Sequence, residues 1–233
     1  MTAATPLTPV PDHVSPDVVY DFDFYADRRF GERLHESFDI LHSEAPDVFW
    51  TPRNGGHWVI TRYPQILEVV QDPEHFSTRE MQIPRVPHPP KFLPLSLDPP
   101  HNVPYRQALM PKFSPKAVNA LEDKIRFWAK KIVDDVADKG ECDFVHDVTE
   151  LFPVSIFMEL MGMDLSRLRE FRALAEYFFG SQNSAEDLAK SSMQIITLMT
   201  EYIEEKRVKP DDGLISHLIG CQIDGRPISL GEL

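Results

Sequence analysis

Leu97-Asp98-Pro99-Pro100-His101-Asn102-Val103-Pro104-Tyr105-Arg106 divides the chain into two kinds of sequence. Before it lies a loop dense in proline, and after it the pattern is almost entirely helical. Asp98 suits a helix N-cap, because a carboxylate accepts from backbone N–H groups that have no partner at a helix start. Pro99 suits the first helical position, where its missing N–H costs nothing. Asn102 and Arg106 are four apart, so on a helix they share a face and can hold one anion between them. A guanidinium matches a carboxylate well, since it donates two parallel hydrogen bonds. A second reading stays open: with Pro104 in the first turn, Asn102 is itself the cap and Arg106 a surface side chain.

Three further motifs lie in order around this stretch. Gly56-His57-Trp58-Val59-Ile60-Thr61-Arg62-Tyr63 is followed by Asp72-Pro73-Glu74-His75-Phe76-Ser77. Phe152-Pro153 leads to Ile156-Phe157-Met158-Glu159-Leu160-Met161-Gly162. Asp224-Gly225-Arg226-Pro227-Ile228-Ser229 closes the set. With the D-P-P-x-x-x-x-x-R pattern at Asp98 to Arg106, this ordered set resembles the cytochrome P-450 family of haem-thiolate monooxygenases. Its bacterial camphor-hydroxylase-like subgroup is the nearest match. The resemblance runs from about Tyr20 onward and implies a mainly α fold with a small N-terminal β region. It covers helices A to H of that fold and lacks the I helix onward. Residues 1–18, with Pro6, Pro9, Pro11 and Pro16 among small polar neighbours, read as a loosely ordered arm before a single domain over 19–233.

Composition narrows the functional classes. The 233 residues carry a net charge of -13, which opposes binding to nucleic acid phosphates. No apolar run is long enough for a membrane span, and Met1 to Pro16 lacks the pattern of a secretory signal. Two cysteines, Cys142 and Cys221, make no disulfide framework, so a reducing bacterial cytoplasm is the expected setting. There is no H-E-x-x-H, no glycine-rich phosphate loop and no G-x-S-x-G elbow.

Along the chain, Leu34, Phe38 and Leu41 predict a short helix within 31–45. Phe49 to Ile60 predicts two strands around Asn54-Gly55-Gly56. Tyr63-Pro64 opens a helix that Asp72-Pro73 stops. Prolines at 84, 87, 89, 90 and 94 forbid helix and central strand over 77–97. Val118, Leu121, Ile125, Trp128, Ile132 and Val136 predict one long helix ending near Gly140. Residues 146–162 predict an apolar helix bent at Pro153. A helix pair follows over 165–179 and 185–207, broken at Gly180-Ser181-Gln182-Asn183-Ser184, and then a short helix over 211–221.

Long loops in compact domains are either functional or merely irregular surface. The resemblance implies the first: 77–97 would lie over the distal face of a haem and line a substrate pocket through Met81, Phe92 and Leu95. Phe178 and Phe179, at the end of a lid-like helix pair, would face the same pocket. In camphor-binding relatives a tyrosine of this loop hydrogen-bonds the substrate ketone; its place is taken here by Pro90, and a nearby threonine is replaced by Leu95. The pocket thus loses two hydroxyls and gains apolar area, which implies a hydrophobic, terpenoid-like or norisoprenoid-like substrate.

The same resemblance implies that Arg106, helped by Asn102 where relatives often have histidine, binds a haem propionate. Haem b would supply iron held by a cysteine thiolate expected from sequence beyond Leu233. Neither cysteine here sits in the family's Phe-x-x-Gly-x-x-x-Cys loop: Asp135 and Asp138 precede Cys142, and Leu214 and His217 precede Cys221. No catalytic residue and no metal ligand is therefore assigned within the 233 residues. Lys112, Lys116, Lys124 and Arg126 form a basic stretch that is either a solvated face or the contact for a 2Fe-2S ferredoxin fed by an NAD(P)H-dependent reductase. Val103 replaces a basic residue common there. Two functions stand side by side. One is a monooxygenase using O2 on a small hydrophobic substrate, complete only in a longer chain. The other is a truncated, haem-free helical protein that binds an apolar ligand or a partner.

Overall fold

The computed structural model describes residues 7–27, 33–85, 91–179 and 185–233. It divides into two compact units, Met1–Asn102 and Val103–Leu233.

In the first unit, helix α1 (Leu34–Glu44) precedes an antiparallel hairpin of β1 (Val48–Thr51) and β2 (His57–Ile60). Val48 pairs with Ile60 and Thr51 with His57. Asn54, Gly55 and Gly56 all take positive φ in the turn between the two predicted strands. Helix α2 (Tyr63–Gln71) begins at Tyr63-Pro64 and ends before Asp72-Pro73, as the sequence predicts. Phe22, Leu41 and Phe49 form the core, with Tyr20 and Phe22 meeting Phe49 edge-on at 5.3 and 6.0 Å.

Residues 19–23 run along the hairpin as a third extended segment. Tyr20 N donates to Trp50 O, and the buried Thr51 hydroxyl donates to Phe22 O at 2.7 Å while accepting from Phe22 N at 3.2 Å. Arg53 clamps Asp21 through Nε and Nη2 at 2.6 and 2.8 Å. Upstream, Thr8 N donates to Pro52 O at 2.8 Å and Val14 is buried, so from Thr8 onward the segment read as a loose arm is seated on protein.

The second unit is helical apart from one small hairpin. Its helices are α3 (Val103–Leu109), α4 (Pro115–Asn119), α5 (Glu122–Ala137), α6 (Leu151–Met161), α7 (Leu168–Phe179), α8 (Ala185–Val208) and α9 (Leu214–Ile219). The hairpin pairs β3 (Gln222–Ile223) with β4 (Arg226–Pro227). Met158, Met163, Leu198, Tyr202, Ile203 and Ile215 make the core, joining α6, α8 and α9.

Two expectations are corrected here. The predicted long helix is divided: Val118 lies in α4 and is exposed, and the chain turns at Ala120-Leu121 before α5 begins. Only the α5 part of the stripe, Trp128 and Ile132, is fully buried. Ser114 explains the separate start of α4, since its hydroxyl accepts from Ala117 N at 3.3 Å and Pro115 follows it. The predicted bend at Pro153 takes the form of a π turn, Val145–Thr149, immediately before α6. Proline offers no N–H to the carbonyl four residues back, which here is that of Thr149, so the ladder changes register at that point.

The end of α6 rests on a close backbone contact. Gly162 caps it with φ +78, and a Cβ added to Gly213 would lie 2.6 Å from both Gly162 Cα and Met161 O. Nearby, Asp211 accepts from Gly213 N at 2.9 Å and Ser216 Oγ at 2.8 Å, and pairs with Lys206 at 2.8 Å. Gly213→Ala must push main chain apart and is expected to cost about 1–3 kcal/mol of unfolding free energy. Gly231→Ala, with no atom within 4 Å of its added Cβ, is expected to change stability by less than about 0.5 kcal/mol. Urea unfolding of both variants checks the pair.

Glu232 gathers the C-terminal hairpin. It accepts from Arg226 at 2.7 and 2.6 Å, from Ser229 N and Oγ at 2.9 and 2.6 Å, and from Tyr105 Oη at 2.5 Å. Arg226 first, then Ser229 and Tyr105, hold its carboxyl far below the ordinary glutamate value of 4.5. A carboxyl lowered on folding stabilises the fold above its unfolded value, and the contribution is lost as pH falls toward the folded value. Glu232→Gln is therefore expected to lower the urea midpoint at pH 7, with the gap to the unchanged protein closing as pH drops below about 4.5.

Candidate functional site

Asp98 does not cap a helix. Its carboxylate faces the opposite end of the preceding loop instead, and its side chain is only 12% exposed. Ser77 Oγ donates to Oδ2 at 2.7 Å, while Thr78 N and Oγ1 donate to Oδ1 at 2.8 and 3.2 Å. Arg79 Nε pairs with Oδ2 at 3.0 Å. Ser77, then Thr78, lower the carboxyl from its ordinary range. Residues 99–102 form a turn in which Asn102 N donates to Asp98 O at 3.2 Å, and α3 begins only at Val103 with Pro104 second. The helix start thus follows the alternative reading of the sequence. The reason is a competition: a carboxylate engaged by three residues 19 to 21 positions upstream has no lone pair aimed at the amides after it.

Between 79 and 98 the described loop is irregular, as its prolines require. Tyr25 Oη donates to Ile83 O at 2.5 Å, and Ser96 Oγ and Phe92 close a local turn in which Ser96 N donates to Phe92 O at 2.8 Å. The three loop residues assigned to a substrate pocket are all exposed: Met81 by 49%, Phe92 by 43% and Leu95 by 62%. Ile83 is exposed as well, so the loop presents apolar side chains without a partner surface within its own unit. Pro90 lies outside the described residues, as do the side chains of Phe178 and Phe179 at the end of α7.

Arg106 is exposed on α3, and no described residue forms a hydrogen bond or ion pair with its guanidinium. Asn102 is half-buried at the last position of the first unit, one residue before the helix. His101 beside it is exposed.

The basic residues are unequal. Lys124 pairs with Glu159 at 2.6 Å and Arg126 with Glu122 at 2.8 Å. Lys112 donates to the carbonyl of Asp212. Lys116 is exposed in α4 with no partner among the described residues. Neither cysteine is placed as a metal ligand: Cys142 is exposed, and Cys221 Sγ lies 3.6 Å from His217 Nε2, which itself bonds Ala108 O at 2.8 Å. Among the described residues no group of three or more His, Cys, Asp or Glu side chains can hold a metal ion, and no helix is long and apolar enough to cross a membrane.

Sequence reasoning missed the partners of Asp98 and the Tyr25 contact to Ile83. Both link residues far apart in sequence, and no periodicity or cap pattern encodes them. A neighbouring Ser77-Thr78-Arg79 run at the loop start was the available signal: two hydroxyls and a cation suited to one carboxylate.

No family model matches the chain. Individual proteins do. A probable cytochrome P450 127A1 of Sinorhizobium fredii is 27% identical over 236 residues, which is 97% of this chain and 56% of the relative. A linalool 8-monooxygenase of Pseudomonas putida is 27% identical over 218 residues, 85% of this chain and 53% of the relative. The solved structure of CYP101J2 superposes with a TM-score of 0.79 at 31% identity, covering 97% of this chain and 56% of that one. The chain spans about half the length of the curated relatives it matches. In sequence and in fold it is similar to cytochrome P450 proteins over the N-terminal part of their length.

Proposed function

We propose that the complete protein is a haem-dependent monooxygenase that hydroxylates a small hydrophobic substrate, terpenoid-like or norisoprenoid-like, with O2 and electrons from a ferredoxin. The observation that carries this reading is Arg106, a guanidinium exposed on the first helix after the Asp98-Pro99-Pro100 turn and unpaired among the described residues. A cation left available at the family's propionate position fits the anionic edge of a haem. Asn102, four residues earlier, can add a neutral N–H donor. Cys142 and Cys221 do not fit the role of axial thiolate, because neither carries the family's ligand motif.

The haem, when bound, supplies the activation of dioxygen for insertion of one oxygen atom into a C–H bond. The residues of this chain bind and orient. Arg106 fixes the cofactor's carboxylate. Met81, Phe92 and Leu95 offer apolar surface that holds a hydrophobic substrate and keeps water from it. Pro90 and Leu95 offer no side-chain donor, so a substrate oxygen placed near them would lose a hydrogen bond, which favours hydrocarbon-like substrates. The name of the Pseudomonas putida relative supports the terpenoid class. For electron delivery, Lys116 is the basic residue most open to an acidic 2Fe-2S ferredoxin, while Lys112 donates to the carbonyl of Asp212. Lys124 and Arg126 are already matched by Glu159 and Glu122. An NAD(P)H-dependent reductase would feed that ferredoxin.

Arg106→Ala in the complete protein is expected to weaken haem retention roughly 10- to 100-fold, the worth of ~1.5–3 kcal/mol for a hydrogen bond to a charged group. Arg106→Lys should recover part of it. Competition with apomyoglobin for haem measures the change. Purified complete protein without haem, or equal retention in Arg106→Ala, would contradict the proposal.

A further inference from the structure

We infer that Asp98 is a positioning residue: its carboxylate is the clasp that holds the neck of the 79–97 loop shut and so keeps the apolar wall of the substrate pocket in its binding form. The inference rests on the reading of that loop as a pocket wall. The clasp itself stands on geometry within the first unit.

The neck has almost no other means of closure. Among the described residues, no backbone–backbone hydrogen bond joins 77–79 to 96–98. Proline at 84 and 94 removes donors from the loop, and the backbone bonds that remain, Ser96 N to Phe92 O and Leu97 N to Pro94 O, are local to one limb. Across the neck run the four contacts to Asp98 and one long bond from Thr78 Oγ1 to Leu97 O at 3.4 Å. Both oxygens of one carboxylate therefore tie together stretches up to 21 positions apart. Charge-assisted bonds are the stronger kind, and the 12% exposure of Asp98 spares them much of the screening that weakens surface pairs. The donors differ in weight. Arg79 is 68% exposed and its ion pair is the expendable one. Ser77 Oγ and Thr78 N, at 2.7 and 2.8 Å, set the register. Tyr25 Oη on Ile83 O then fixes a point further along the limb. Opening the neck would free that limb and the apolar side chains it carries without disturbing the core of Phe22, Leu41 and Phe49, none of which belongs to the loop.

The test uses the complete protein and three variants: Asp98→Ala, which removes every contact; Asp98→Asn, which keeps one acceptor; and Arg79→Ala, which removes only the exposed ion pair. Amide hydrogen exchange over 79–85 and 91–97 reads the loop, and exchange over α1 and the β1–β2 hairpin reads the rest of the unit. Phenylimidazole, whose ring nitrogen reports spectrally on reaching a haem iron and whose phenyl group needs an apolar wall, reads the pocket. Asp98→Ala is expected to raise loop exchange about tenfold with the hairpin unchanged, and to weaken phenylimidazole about tenfold, as it would if the closed loop fell to a tenth of the population. Asp98→Asn should fall between, and Arg79→Ala near the unchanged protein. Unaltered loop exchange in Asp98→Ala overturns the clasp, whether or not the protein holds haem. Equal loosening of loop and hairpin assigns Asp98 a merely structural role and overturns it too. A loosened loop with unchanged phenylimidazole affinity overturns the positioning role. Absence of haem, by contrast, defeats the functional reading while the exchange result still decides the clasp.

Discussion

Proline removes the means by which a loop ordinarily closes itself. From Pro84 to Pro100 the chain gives up backbone donors, and with them any ladder between the limbs of a long excursion. Closure then falls to a side chain with several acceptor sites, and Asp98 is that side chain, meeting Ser77, Thr78 and Arg79 together. Much else in the first unit follows from this constraint. The residues after Asp98 form a turn rather than a helix, and Met81, Phe92 and Leu95 stay exposed.

The second unit solves the opposite problem. Its helices have no shortage of backbone partners, and their difficulty is close approach. Gly162 and Gly213 allow the end of α6 to touch the start of α9 with no side chain between them, while Lys206 and Asp211 neutralise each other beside that contact. Met158 and Tyr202 fill the space the helices enclose. On α3, Tyr105 is tied to Glu232, while Arg106 has no partner among the described residues.

Most elements were legible because their information is local. Apolar spacing reveals α1 and the buried stripe of α5, Asn54-Gly55-Gly56 reveals the first hairpin, and the second was implied by the resemblance carried by Asp224 to Ser229. The failures are equally physical. Asp98 has the right chemistry for a cap, yet a cap and a distant Ser77 compete for the same oxygens, and sequence spacing is silent on which wins. Val118 continues the stripe of Ile125 and Trp128 in register, but Ser114-Pro115 starts a helix of its own and the stripe is broken at Leu121. Pro153 announces a disturbance without stating that it takes the form of a π turn. Of the candidate site, position alone left Arg106 open between an anion ligand and a surface side chain, and only the resemblance implied a propionate role. That Lys124 and Arg126 are matched by Glu159 and Glu122 was not readable for Glu159, which lies 35 residues away.

The central claim is the proposal that the complete protein is a haem-thiolate enzyme in which Arg106 holds a propionate. It is tested most directly by the absorption spectrum of the complete protein, reduced and then exposed to carbon monoxide. The account requires the strongly red-shifted band of a haem whose iron is bound by thiolate. A spectrum without haem, or one with the unshifted band of a haem bound by histidine, would contradict it.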